Sequence, residues 1–151
     1  MVPGGQPFTP VNVQQNSVYP SQHSDPQLHD DPLHSFLIGL KLFAELMDNV
    51  HDVHPGCIAA AVVYQDQLFD AEVRALSVEG FLAWRERFRG YLERIAERYP
   101  PRIDVDLASL ADALSALVDG GIILSKALHE RATLPAQIMH YRNYIKLLFE
   151  P

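Results

Sequence analysis

The chain holds one cysteine, Cys57, in 151 residues. That excludes an intrachain disulfide and any metal site built on several thiolates, and it points to a reducing compartment. Basic residues are also scarce, with 12 Lys and Arg against 19 Asp and Glu and a formal net charge of −7. A domain that holds nucleic acid by releasing counterions normally carries a basic excess. Direct DNA or RNA binding by these residues is therefore not expected. No uninterrupted apolar run reaches the roughly 18 residues that a transmembrane helix needs, so no membrane span is expected. The N-terminus has no basic residues leading into an apolar stretch, so no signal peptide is expected, and the expected location is the cytoplasm.

Lys and Arg are absent altogether from residues 1–30, which hold five of the 11 prolines and whose only formal charges are Asp25 and Asp30. Proline at 3, 7, 10, 20 and 26 is too frequent for a helix, and Gly, Gln, Asn and Ser fill the gaps without an apolar period. The segment reads as a proline-rich, extended arm. The alternative is that it drapes over the rest of the chain through Phe8, Val11, Val13 and Tyr19. Residues 31–151 keep an ordinary globular composition and a net charge of −5.

What is present from Asp31 onward is helix signal. Asp31 is a good N-cap, and Pro32 fits the first helical position, where its missing N–H costs nothing. Leu33, Phe36, Leu37, Leu40, Phe43, Ala44 and Met47 then follow a helical stripe. Ile38, Leu42 and Leu46 widen it, which predicts burial on more than one side and an end near 50–53. His54-Pro55-Gly56 is a breaker. Cys57 to Leu68 reads as a helix rich in small residues, with a short helix or turn over 70–76. Ser77 is positioned to cap a long helix to about Tyr99, with Phe81, Trp84, Phe88, Tyr91, Leu92 and Ile95 as its stripe. Arg85, Arg87, Arg89 and Arg94 alternate with Glu86 and Glu93, which reads as a solvated, salt-bridged face and not as a phosphate site.

Asp106 opens a helix to about Leu128. One of its faces carries Leu107, Leu110, Ala111, Leu114, Leu117, Val118 and Ile122. Gly120 and Gly121 in mid-helix cost about 1 kcal/mol each relative to Ala, so close approach of another helix is expected there. Thr133-Leu134-Pro135 caps a last helix to about Phe149 that is apolar nearly all round. The expected fold class is all-α, an antiparallel bundle of four long helices and one or two short ones.

The last two helices carry more apolar surface than one intramolecular face requires, and monomers seldom leave a large patch in water. Self-association about a twofold axis, two helices from each chain forming a four-helix bundle, would cover it. The expected interface residues are Ala116, Gly120, Ile123, Leu124 and Ala127 with Met139, Tyr141, Tyr144, Ile145 and Leu148. The alternative is that both helices lie centrally, enclosed by the others.

His54-Pro55-Gly56-Cys57 followed by IAAAVVYQDQLFDAEVRAL, then the Trp/Arg helix, ALVDGGIILSKAL and the terminal YRNYIKLLFEP together resemble the C-terminal regulatory domain of the tetracycline repressor (TetR) family of transcription regulators. The resemblance covers about 31–151. It implies an all-helical domain that binds a small ligand between its central helices and dimerises through its last two long helices. The family also carries an N-terminal three-helix DNA-binding domain. Residues 1–30 contain no recognition helix, so the DNA-binding half transfers to no residue here, and a regulatory domain without its own DNA-reading head is expected. A second expectation is an interaction protein that forms mixed dimers with an intact regulator.

A ligand pocket needs apolar walls and a few polar groups. Phe36, Leu40, Phe43 and Met47 are the candidates on the first helix, Cys57 and Tyr64 on the next, and Phe81, Trp84, Phe88 and Tyr91 on the long one; plain core packing is the competing use of the same residues. The expected ligand is a small hydrophobic or aromatic molecule. His51, Asp52 and His54, with Asp48 and His34, carry the right atoms for zinc but straddle a helix end, and no metal or other cofactor is expected. Cys57 reads as an inert thiol. No nucleophile elbow, phosphate loop or zinc-hydrolase motif occurs, so no enzymatic activity is expected.

Overall fold

The computed structural model describes residues 31–150; the arm expected over 1–30 lies outside them. Among the described residues there is no strand, and the chain forms an all-α bundle. Its helices are α1 (Pro32–Asp48), α2 (Ile58–Tyr64), α3 (Ala71–Arg98), α4 (Leu107–Leu128) and α5 (Thr133–Phe149), with one 3₁₀ turn at Asp66–Leu68.

Local chemistry sets most boundaries. The Asp31 carboxylate accepts from the His34 N–H at 3.1 Å, and Pro32 opens α1. The helix stops at Asp48, sooner than the apolar stripe suggests. The carbonyls of Val50 and His51 are taken up beyond it by the Arg131 guanidinium, at 3.2 and 3.3 Å. Gly56 has φ +133°, a backbone conformation open to glycine but strained for other residues, which is why the chain turns there. The Lys126 ammonium donates to the Pro55 carbonyl at 2.7 Å and ties that turn to α4.

The start of α3 differs from expectation. Asp70, not Ser77, is the N-cap, its carboxylate accepting from Val73 N–H at 2.9 Å. Nothing between 71 and 77 breaks a helix, and Glu72 in the first turn suits the helix dipole. Ser77 is buried inside α3, where its hydroxyl donates to the Ala59 carbonyl of α2 at 3.0 Å. The expected helix over 57–68 is likewise cut at Gln65 into α2 and the 3₁₀ turn. Asp106 caps α4 through Ala108 and Ser109 N–H groups. Thr133 is the first residue of α5 rather than its cap; Ala132 precedes it without a side-chain cap.

Contacts of opposite polarity make the bundle antiparallel. Asp31 at the start of α1 accepts from the Tyr99 hydroxyl at the end of α3. Arg142 in the middle of α5 donates to Leu37 O in the first half of α1, while Arg131 before α5 reaches the residues after α1. Tyr141 donates to the Leu110 carbonyl at 2.9 Å, joining late α5 to early α4. Helix α5 lies between α1 and α4, and α4 also packs on α3.

The core gathers Leu33, Phe36, Leu37, Leu40 and Ala44 of α1, Leu92 and Ile95 of α3, Leu110, Ala111, Leu114 and Ile122 of α4, and Leu134, Ile138, Tyr141, Ile145, Leu148 and Phe149 of α5. Ile38, Leu42 and Leu46 do not join it. They sit on the solvent side of α1, which therefore buries one face and not two. Helix α4 is long and apolar enough, by length and composition alone, to cross a membrane. Its inner face is nevertheless occupied by α3 and α5.

Candidate functional site

A cleft of about 920 Å³ opens between α1 and α3, within the usual range for sites that take a small organic molecule. Helix α1 supplies Pro32, Ser35, Phe36, Gly39, Leu40 and Phe43; α3 supplies Ala83, Trp84, Arg87, Phe88, Tyr91 and Arg94. On α3 these residues recur at three- and four-residue steps, so they share one face of the helix.

The aromatic side chains form one connected wall. Trp84 stacks on Phe88 with ring centroids 5.1 Å apart, and Phe36 meets Phe88 edge-on at 6.2 Å and Tyr91 at 5.9 Å. The Arg94 guanidinium carbon lies 4.7 Å from the centre of the Tyr91 ring. Trp84 and Tyr91 are 49% and 41% exposed, whereas Leu92 and Ile95 on the same helix are fully buried. The long stripe read from the sequence is thus two stripes, one for the core and one for the cleft.

Six of the ten residues expected to bind ligand meet in this cleft: Phe36, Leu40, Phe43, Trp84, Phe88 and Tyr91. The other four do not line it. Met47 and Cys57 pack against the core from its edge, Tyr64 is 71% exposed, and Phe81 lies a turn too early on α3. Arg87 and Arg94 were assigned to a solvated face by their neighbours in sequence. Their step from Trp84, Phe88 and Tyr91 was the signal that they belong with the aromatics.

The solvated face itself is made by other arginines. Arg85 grips Asp112 of α4 with two bonds of 2.8 Å. Hydrogen bonding to Arg85 holds the Asp112 carboxyl below the usual carboxylate range. Arg89 pairs with Glu86 and Glu93 along α3. At the other end of α3, burial raises the Asp31 carboxyl, but the His34 N–H, the Tyr99 hydroxyl and Arg98 outweigh it and leave the group below its ordinary value.

The expected dimer face separates into two sets. On α4, Ala116, Ile123, Leu124 and Ala127 are exposed and Gly120 is half-buried. On α5, Tyr144 is exposed, but Tyr141, Ile145 and Leu148 point into the monomer's own core and Met139 packs partly against it. These residues are engaged inside the monomer and are not free for the expected interface, because a helix between α1 and α4 must give two sides to its neighbours. Leu147, 67% exposed, was missed and stands beside Tyr144 on the outer side. Gly121 has an intramolecular reason to be glycine, since an added Cβ would lie 3.0 Å from Leu134 Cδ1; nothing lies within 4 Å of one added to Gly120.

His54 Nδ1 accepts from the Gly56 N–H and the Asp52 carboxylate from Val53 N–H, so both are turned onto their own loop. Among the described residues no group of three or more His, Cys, Asp or Glu side chains is placed to hold a metal ion. No protein-family model, curated protein or solved structure matches the chain.

Proposed function

We propose that residues 31–151 are a regulatory domain of TetR type, which acts in the cytoplasm as a homodimer and takes a small apolar ligand in the α1–α3 cleft. The observation that supports this best is the cleft itself. Half-exposed aromatics line a volume suited to a small molecule at a seam between two helices, and a helix seam can change angle when something fills it. Ligand that wedges α1 from α3 would move them relative to α4 and α5, and in a regulator of this type such a shift sets the spacing of the DNA-reading heads.

Self-association is supported by the outer side of α4. Ile123 and Leu124 are nearly half exposed in the last third of α4, and Gly120, which costs stability, has no close neighbour among the described residues to account for it. A second copy of α4 packed against it would supply the close approach. The same surface on an intact regulator would accept this chain in a mixed dimer.

The test is thermal unfolding of the full chain with the neutral aromatic probe phenylnaphthylamine. At a hundredfold excess over its Kd the probe should stabilise by about 2.7 kcal/mol, a rise of roughly 10 °C in Tm. An unchanged Tm across a panel of neutral aromatic and aliphatic compounds would contradict the proposal.

A further inference from the structure

We infer that the ligand of the α1–α3 cleft is an amphipathic anion: an apolar or aromatic body bearing one oxyanion head, held by Arg87 and Arg94. The inference rests on the cleft being a ligand site and adds the chemical class of the ligand.

The cleft is basic in a protein that is otherwise acidic. Its lining includes two arginines and no Asp or Glu, whereas the whole chain carries −7. Elsewhere on α3, Arg85 is matched to Asp112 of α4 and Arg89 to Glu86 and Glu93, while Arg74 donates to the carbonyls of Asp66 and Phe69. Arg87 has no hydrogen bond or ion pair among the described residues, and Arg94 has only the Tyr91 ring. Arg87 and Arg94 instead face the cavity.

Their positions suit one head group. They are seven residues apart on one face of α3, about 10.5 Å along the axis, with Phe88 and Tyr91 between them. The Arg94 guanidinium carbon sits 4.7 Å from the Tyr91 ring centre, a contact that commits none of its N–H groups to a protein acceptor and leaves them for a fork to an oxyanion. Ser35 on α1 adds a hydroxyl to the lining. The aromatic wall from Trp84 to Phe36 then takes the apolar body. Charge complementarity selects an anion over a neutral molecule of the same shape, and a cation would meet both guanidiniums.

Two probes with one skeleton separate the claims: anilinonaphthalene sulfonate, and phenylnaphthylamine, which lacks the sulfonate. Trp84, the sole tryptophan, lines the cleft, so quenching of its fluorescence reports binding there. The sulfonate probe should bind the full chain at least about tenfold more tightly than the neutral one. R87Q and R94Q should each weaken the sulfonate probe about threefold or more, weaken the neutral probe by a smaller factor, and together bring the two probes level. Equal affinities, with both variants silent, would overturn the anion inference while leaving the cleft as a site for neutral ligands. Quenching by neither probe would overturn the site itself.

Discussion

Gly121 of α4 lies against Leu134 of α5 so closely that a Cβ placed on it would be 3.0 Å from Leu134 Cδ1 and 3.2 Å from Leu134 Cα. Its neighbour Gly120 faces open space. Of these two adjacent glycines, only Gly121 therefore has a close neighbour among the described residues to account for it. G121V should destabilise the folded chain by about 2 to 3 kcal/mol through overpacking, read as a lower urea midpoint. G120A should raise helix stability by up to about 1 kcal/mol in a monomer. In the proposed dimer the same methyl group stands at the closest approach of two chains, and L124E places a charge in the same contact. Sedimentation of L124E should give a monomer with unchanged helix content, and wild-type chain sedimenting as a monomer at micromolar concentration would contradict the proposed self-association.

The Tyr141 hydroxyl is the buried polar link between α5 and α4, donating to Leu110 O. Burial pushes its ionisation well above the ordinary tyrosine range, so it is a donor at neutral pH. Y141F removes the donor and leaves the carbonyl its bond within the helix. Denaturant unfolding should show a loss of about 1 kcal/mol, whereas Y144F, on the exposed side, should change stability by less than about 0.5 kcal/mol.

Acid should loosen the bundle through two carboxylates. Asp31 and Asp112 both titrate below their ordinary value of 3.8 when folded. A group whose folded pKa is depressed contributes stability above its unfolded pKa and loses it as pH falls through the folded one. Stability should thus be level at neutral pH and fall below about pH 4. D112N should flatten part of that acid limb in urea titrations at successive pH values. The effect should be modest, because Arg85 and Asp112 are both nearly half exposed.

Much of the fold was legible because its signals are local. Asp31-Pro32 and Asp106 each carry a cap and a stripe within one turn, and those helices begin where the residues say. The start of α3 was misread because serine serves two purposes: Ser77 has the chemistry of a cap, but its hydroxyl is spent on Ala59 in another helix, and only the tertiary structure decides that. On α5 the pattern is apolar on every side, so spacing alone could not say that Tyr141, Ile145 and Leu148 turn inward while Tyr144 and Leu147 turn out. The cleft was partly legible, since Trp84, Phe88 and Tyr91 share a face with Phe36 across from them. Arg87 and Arg94 were hidden by context. In the sequence they sit among glutamates, and only the fold leaves them beside a cavity while Glu86 and Glu93 go to Arg89.

The account stands on the α1–α3 cleft being open to a small molecule, and Trp84 with Gly39 tests that most directly. Gly39 lines the cleft from α1, and a Cβ added there meets nothing within 4 Å among the described residues. G39L should therefore place an isobutyl group in the cleft and obstruct it, while raising helix stability by up to about 1 kcal/mol. Titration with phenylnaphthylamine should quench Trp84 saturably in the wild-type chain and leave it unquenched in G39L at the same helix content. Absence of saturable quenching in the wild type, or equal quenching in both proteins, would contradict the account.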